Sequence, residues 1–218
     1  MHTRFATQRL RQLARARAYV ELDARPITVQ RLTGLLSPEL HRWFYRNADD
    51  AQRGCAPCGP QWYPYANLLQ QFDAALFSAC FHRLYQRGFA ADDALLSAYL
   101  GYQALGLAQP RIDFDRAFDL AAHITGRWLS DRAHYAVVPC RTCGNDALTE
   151  YGRQVPLGCP FCRVLARYAL DPRVQNHLPT PPAHLGPAPM LGIVYLSPTL
   201  RAHYPRTANA PPPRRTRR

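Results

Sequence analysis

The sequence predicts a mainly α protein: a helical N-terminal domain with a helix-turn-helix-like segment, a small four-cysteine zinc module, and a disordered tail rich in Pro and Arg. Three observations carry this reading. Apolar residues recur at helical spacing through the first 130 positions, with no β-rich run among them. Cys140, Cys143, Cys159 and Cys162 read C-x2-C-x15-C-x2-C, within the spacing of a structural zinc site. From Asp171 onward proline dominates, and the chain ends in Arg214, Arg215, Arg217 and Arg218. The expected boundaries are 1–130, 131–170 and 171–218.

The elements follow in order. Thr7–Leu22 is rich in Ala and Arg, with Leu10, Leu13 and Ala14 near helical spacing, and reads as a first helix stopped by Asp23, Arg25 and Pro26. Five arginines without an acidic residue before Glu21 also suit an organellar transit peptide; a first helix is the preferred reading. Pro26–Gly34 is a short helical segment closed by glycine. Ser37 and Pro38 then start a second helix, as cap and first helical residue, that runs to about Asn47. Helix, glycine turn and helix make the outline of a helix-turn-helix. Val29 and Leu32 would pack from the first helix, Leu35 would fill the turn, and Leu40 with Trp43 or Phe44 would pack from the second. Glu39, His41, Arg42, Tyr45 and Arg46 would then face DNA. Gln30 and Thr33 stand where small or apolar residues are commoner, so a plain helical hairpin fits equally.

Asp49–Pro60 reads as a loop carrying a third pair, Cys55 and Cys58. Proline between cysteines suits a thioredoxin-type redox centre, but such centres follow a strand and nothing before Cys55 resembles one. A second metal site and an incidental loop pair are the other readings. Three helices follow. Pro64–Arg87 carries Leu68, Phe72, Ala75, Leu76, Ala79 and Leu84. Asp92–Leu105 and Asp113–Leu129 each open on aspartate, which suits a helix N-terminus. His134–Val138 reads as a strand leading into the first cysteine pair, with Ala147–Tyr151 as its partner. Arg163–Leu170 reads as one short helix after the last cysteine. In the tail, Leu191–Leu196 is the one run apolar enough to dock.

Two thiolates separated by two residues can turn back on one ion, and two such knuckles complete a tetrahedron. Four cysteines leave no open position, so the ion would hold structure and activate no water. Gly144 and Gly158 stand where tight knuckles need them. Buried or disulfide-bonded cysteines are the alternative. Seven cysteines is an odd count, and the N-terminus lacks the apolar core of a secretory signal. Both facts favour a reducing cytoplasm, where cysteine pairs more often mean metal. No window approaches the eighteen or so apolar residues of a membrane span, so no membrane role is expected.

Formal net charge is +12, and all 27 basic residues are arginine. The excess points to a polyanion, with nucleic acid as the default partner. Arginine usage alone has a compositional explanation, a GC-rich genome, and is not read as selection for guanine contacts. The sequence holds no phosphate loop, no G-x-S-x-G elbow and no H-E-x-x-H. The eight histidines are scattered, and nothing argues for an enzyme.

The order of these features resembles FlhC, the zinc-containing subunit of the bacterial flagellar master regulator. The resemblance spans roughly Leu10 to Arg167. It takes in the Leu36-Ser37 step into a basic helix, the loop Gly54–Pro60, and the helices holding Phe77, Ser78, Cys80, Ala98 and Tyr99. It continues through Arg116-Ala117 and Trp128-Leu129 to the cysteine quartet, with Gly144 in register. It implies a mostly helical chain that assembles with FlhD, generally as four FlhD and two FlhC chains. Such assemblies bind promoter DNA upstream of flagellar operons and activate RNA polymerase. It implies that the quartet holds one Zn2+ and that the basic surface around it, including Arg141, Arg163 and Arg167, lies close to DNA. The family pattern has prolines without Cys55 and Cys58, and a denser basic run after the last cysteine, diluted here by Leu165 and Leu170. The expected function is therefore a transcriptional activator subunit; the alternative is a zinc-containing interaction scaffold without DNA specificity. Chelation should unfold the cysteine module before the helical core.

Overall fold

Nine helices and one two-stranded sheet make up the described part of the structure, a computed structural model that describes residues 2–46, 59–105, 107–153 and 158–178. Cys55, Cys58 and the tail beyond residue 178 lie outside it. Helix α1 is His2–Val20 and α2 is Pro26–Thr33. Pro26 sits in the first turn of α2, where its missing N–H costs nothing. Gly34, at φ 70°, closes α2 in the left-handed conformation that glycine adopts freely. Helix α3 follows as Ser37–Trp43, its Leu36 N–H donating to the Glu39 carboxylate.

The helix-turn-helix outline is present: Val29, Leu35 and Leu40 are buried from the two helices and the turn. Phe44, rather than the exposed Trp43, supplies the last packing residue. One residue expected to face outward toward DNA does not. Tyr45 is buried and its hydroxyl donates to the Ala24 carbonyl at 2.6 Å. Glu39 is engaged by Arg9 of α1 and by the α3 N-terminus.

The short helix α4, Trp62–Tyr65, precedes α5, Leu68–Gln86. Asn67 caps α5, accepting from Gln70 N–H at 3.0 Å, so the helix starts later than Pro64. Residues 72–81 are buried without a break, which marks α5 as a central helix covered on every side. Helix α6, Ala91–Gln103, and helix α7, Phe114–Thr125, pack against it. Asp113 caps α7, and Gly126 at φ 66° ends it three residues before Leu129. A side chain at Gly126 would meet the Arg132 backbone at 2.8 Å.

Strands β1, Tyr135–Pro139, and β2, Asp146–Glu150, form an antiparallel hairpin with Val137 opposite Leu148. Helix α8, Pro160–Tyr168, begins three residues before the expected Arg163, so the second cysteine pair lies in its first turn. Both the hairpin and α8 lie on α5. The cysteine region has no core of its own. Cys140, Ala147, Leu148, Cys159, Phe161 and Val164 belong to one apolar cluster with Phe72, Phe77, Leu95 and Phe118.

The expected disorder from residue 171 is corrected over its first eight positions. Helix α9, Pro172–His177, is capped by Asp171 and carries proline in its first turn. It docks because Val174 and His177 are buried. His177 Nε2 lies 2.7 Å from Asp73 Oδ1 on α5, and Asp73 Oδ2 also accepts from Tyr102 Oη and the Arg111 N–H. A second buried carboxylate, Asp115, accepts from Thr28 and pairs with Arg25 at 2.7 Å. Burial pushes its carboxyl up, against the pull of those donors.

Candidate metal centre

The two knuckles are built differently. In the first, Cys140 directly follows β1, and its N–H and carbonyl are tied by Asn145 O at 2.9 Å and Gly144 N at 2.8 Å. Gly144, at φ 71°, makes the turn that sends the chain back into β2. In the second, Gly158 at φ 81° swings the chain into α8, Cys159 is its N-cap, and Pro160 sits in the first turn. Cys162 then comes round on the same side, one helical turn on. Phe161, between the cysteines, packs edge-on against Phe72 at 5.3 Å and fixes the knuckle to α5. Arg83–Asp146 at 2.8 Å and Arg163–Gln71 at 2.9 Å fasten the hairpin and α8 to the same helix.

The four sulfurs converge. Cys140–Cys162 is 3.9 Å, Cys143–Cys159 is 3.5 Å, Cys159–Cys162 is 3.7 Å, and all four lie within 4.8 Å of one another. Four thiolates at about 2.3 Å from one ion would place their sulfurs about 3.8 Å apart, so these separations fit a tetrahedral ion. A disulfide requires about 2.05 Å, and the four cysteines are free. The cluster could hold a metal ion.

Electrostatics agree with that donor set. Burial opposes ionisation of Cys140, but the backbone N–H groups of Cys143, Cys159 and Thr142 outweigh it and hold the thiol down at about 6. Burial pushes Cys162 up to about 11, with neighbouring sulfurs adding to the shift, and pushes Cys159 up further. The Cys140 thiolate is thus favoured by the backbone, while those of Cys159 and Cys162 are opposed by desolvation and by neighbouring sulfurs. A cation among the sulfurs is what removes that opposition. Asn145 Nδ2 donates to Cys143 Sγ at 3.6 Å, a supporting contact that no spacing pattern reveals. Cys80, by contrast, is buried in α5, pushed up to about 11 by burial, and poorly suited as a nucleophile.

The expected arginines divide into two groups. Arg141, inside the first knuckle, and Arg163 and Arg167, on α8, are exposed. Arg42 and Arg46 lie elsewhere, at the end of α3, which packs on α2. Both are exposed. The Arg42 guanidinium lies 5.5 Å from the Trp43 ring centre, and Arg46 Nε donates to the Arg42 carbonyl at 3.1 Å. Leu165 on α8 and Leu170 just beyond its end are also exposed. No helix among the described residues is long and apolar enough to cross a membrane. No protein-family model matches the chain, and no curated protein is similar to it.

Proposed function

We propose that the chain is a non-enzymatic, DNA-binding subunit of a transcriptional activator of flagellar operons. It would act in the cytoplasm as a hetero-oligomer with FlhD, four FlhD to two of this chain, and recruit RNA polymerase. The observation that carries the reading is the cysteine cluster, with the exposed Arg141 between two of its cysteines and the exposed Arg163 and Arg167 on the helix that carries Cys162. The resemblance to FlhC and the charge of +12 point the same way. The ion is zinc: four soft thiolates in tetrahedral array select zinc or iron, and a closed site needs no redox metal. Its role is to fix both knuckles so that the arginines hold a constant spacing against phosphates, while a few base contacts supply specificity. Arg42 and Arg46 are a second, separate set of contacts at the end of α3.

The test is fluorescence anisotropy with a flagellar promoter fragment and a scrambled duplex, each with and without FlhD. Preference for the promoter in the presence of FlhD is the expected result; equal binding of both duplexes under both conditions refutes it. The exposed Leu165 and Leu170 favour one alternative, a scaffold whose zinc region binds protein. Salt separates the two. Counterion release gives a log–log slope of about −0.9 per phosphate neutralised, whereas apolar docking is nearly flat.

A further inference from the structure

One histidine pair lies outside every role assigned above. His123, in the last turn of α7, is buried, and His134, just before β1, is half-buried. Their Nδ1 atoms face each other at 3.1 Å with the rings nearly perpendicular. The pair forms a joint between the helical body and the cysteine hairpin. The His134 N–H donates to the His123 carbonyl at 2.8 Å, and the Tyr151 N–H donates to the His134 carbonyl at 2.7 Å.

An Nδ1–Nδ1 contact holds one proton: one ring donates and the other accepts. Adding a proton at the outer nitrogen of His134 leaves that arrangement intact. Protonating both Nδ1 atoms sets two N–H groups and two cations against each other. The surrounding charges compensate only one. Asp119 Oδ1 on α7 is 3.4 Å from His123 Nε2, and its Oδ2 is taken by Trp62 Nε1 at 2.8 Å. Tyr135 of β1 stacks edge-on to His123 and gives its hydroxyl to Pro60. On β2, Glu150 is paired with Arg153 at 2.6 Å. In the connecting loop, Ser130 faces His134 at 3.5 Å, and Asp131 and Arg132 are exposed.

We propose that the His123–His134 contact is a proton-operated joint: it seats the cysteine hairpin on α7 while one proton is shared, and it releases the hairpin when both imidazoles are charged. The inference concerns the seat of the hairpin and does not depend on what the hairpin binds. If release takes up one proton, the opening equilibrium rises as pH falls, by at most about tenfold per pH unit.

The experiment is hydrogen exchange of the full chain with its metal, followed at Tyr135–Tyr151 between pH 7.5 and 5.5 and corrected for intrinsic exchange rates. The wild type should open several-fold more at pH 5.5 than at pH 7.5. His134→Gln, whose side-chain amide can donate to His123 without titrating, should lose that dependence. Proton competition for the thiolates acts equally in both proteins, so equal pH slopes in the two would overturn the proposal. So would a wild type whose opening is independent of pH. Should the variant not fold, nitrogen-15 histidine spectra of the wild type decide: one protonated Nδ1 in the pair at pH 7 supports the joint, and none overturns it.

Discussion

Asp73 gathers three donors from three separate parts of the chain, and none of them is its sequence neighbour. It accepts from Tyr102 of α6, from the Arg111 backbone and from His177 of α9. Asp73→Ala would take their acceptor from the buried Tyr102 hydroxyl and the buried His177 ring, while the Arg111 N–H keeps Tyr102 Oη at 3.1 Å; leaving a buried donor unsatisfied costs about 1–3 kcal/mol. Urea unfolding should show a loss in that range; a loss below about 1 kcal/mol would mean that water reaches these donors and that the network contributes little. The ligand cysteines make a sharper case. Each knuckle supplies two of four sulfurs, and a serine hydroxyl ionises too weakly to replace a thiolate. Cys140→Ser and Cys159→Ser should each reduce bound metal from one ion per chain to nearly none by elemental analysis. Metal retained at wild-type level would show that the cluster is not the site.

At the scale of elements, the contrast between α5–α7 and α9 shows how much the sequence discloses. The long helices were legible because apolar period, acidic residues at the starts of α6 and α7 and glycines at the ends of α5 and α7 all act within a few residues of one another. The quartet was legible for the same reason: knuckle chemistry is local. Helix α9 was not, because its docking depends on Asp73, 104 residues earlier in the chain. Proline density suggested disorder there, although Pro172 occupies the one helical turn that welcomes proline. Tyr45 and the His123–His134 contact were missed on the same grounds, since each is defined by a partner in another element. A truncation series measures what α9 contributes. Ending the chain after Leu178 should leave the melting temperature within a degree or two of the full chain. Ending it after Leu170 removes Val174 and His177 from the core and takes from Asp73 its His177 partner, and should lower it by roughly 10 °C or more, since each kcal/mol shifts a domain of this size by about 2–4 °C. Equal melting temperatures for the two truncations would mean that α9 rests on the body without stabilising it.

For the whole molecule, the decisive fact is that the cysteine region and the helical body share one core. Cys140 and Cys159 are buried in the same apolar cluster as Phe72 and Phe77, and Phe161 stands between Cys159 and Cys162 while packing on α5. A separable module would melt alone on chelation, leaving the helices intact, and that was the expectation from the sequence. The shared core predicts otherwise. Without the ion, desolvated thiols and mutual repulsion loosen both knuckles, Phe161 loses its fixed position, and one face of α5 is exposed. Because residues 72–81 are buried on all sides, α5 cannot keep its remaining contacts at full strength with that face open. Removing the metal should therefore shift a single unfolding transition to lower temperature, with near-ultraviolet and far-ultraviolet circular dichroism moving together. Two separated transitions after chelation, the second at the temperature of the loaded protein, would show that the body folds independently of its metal centre.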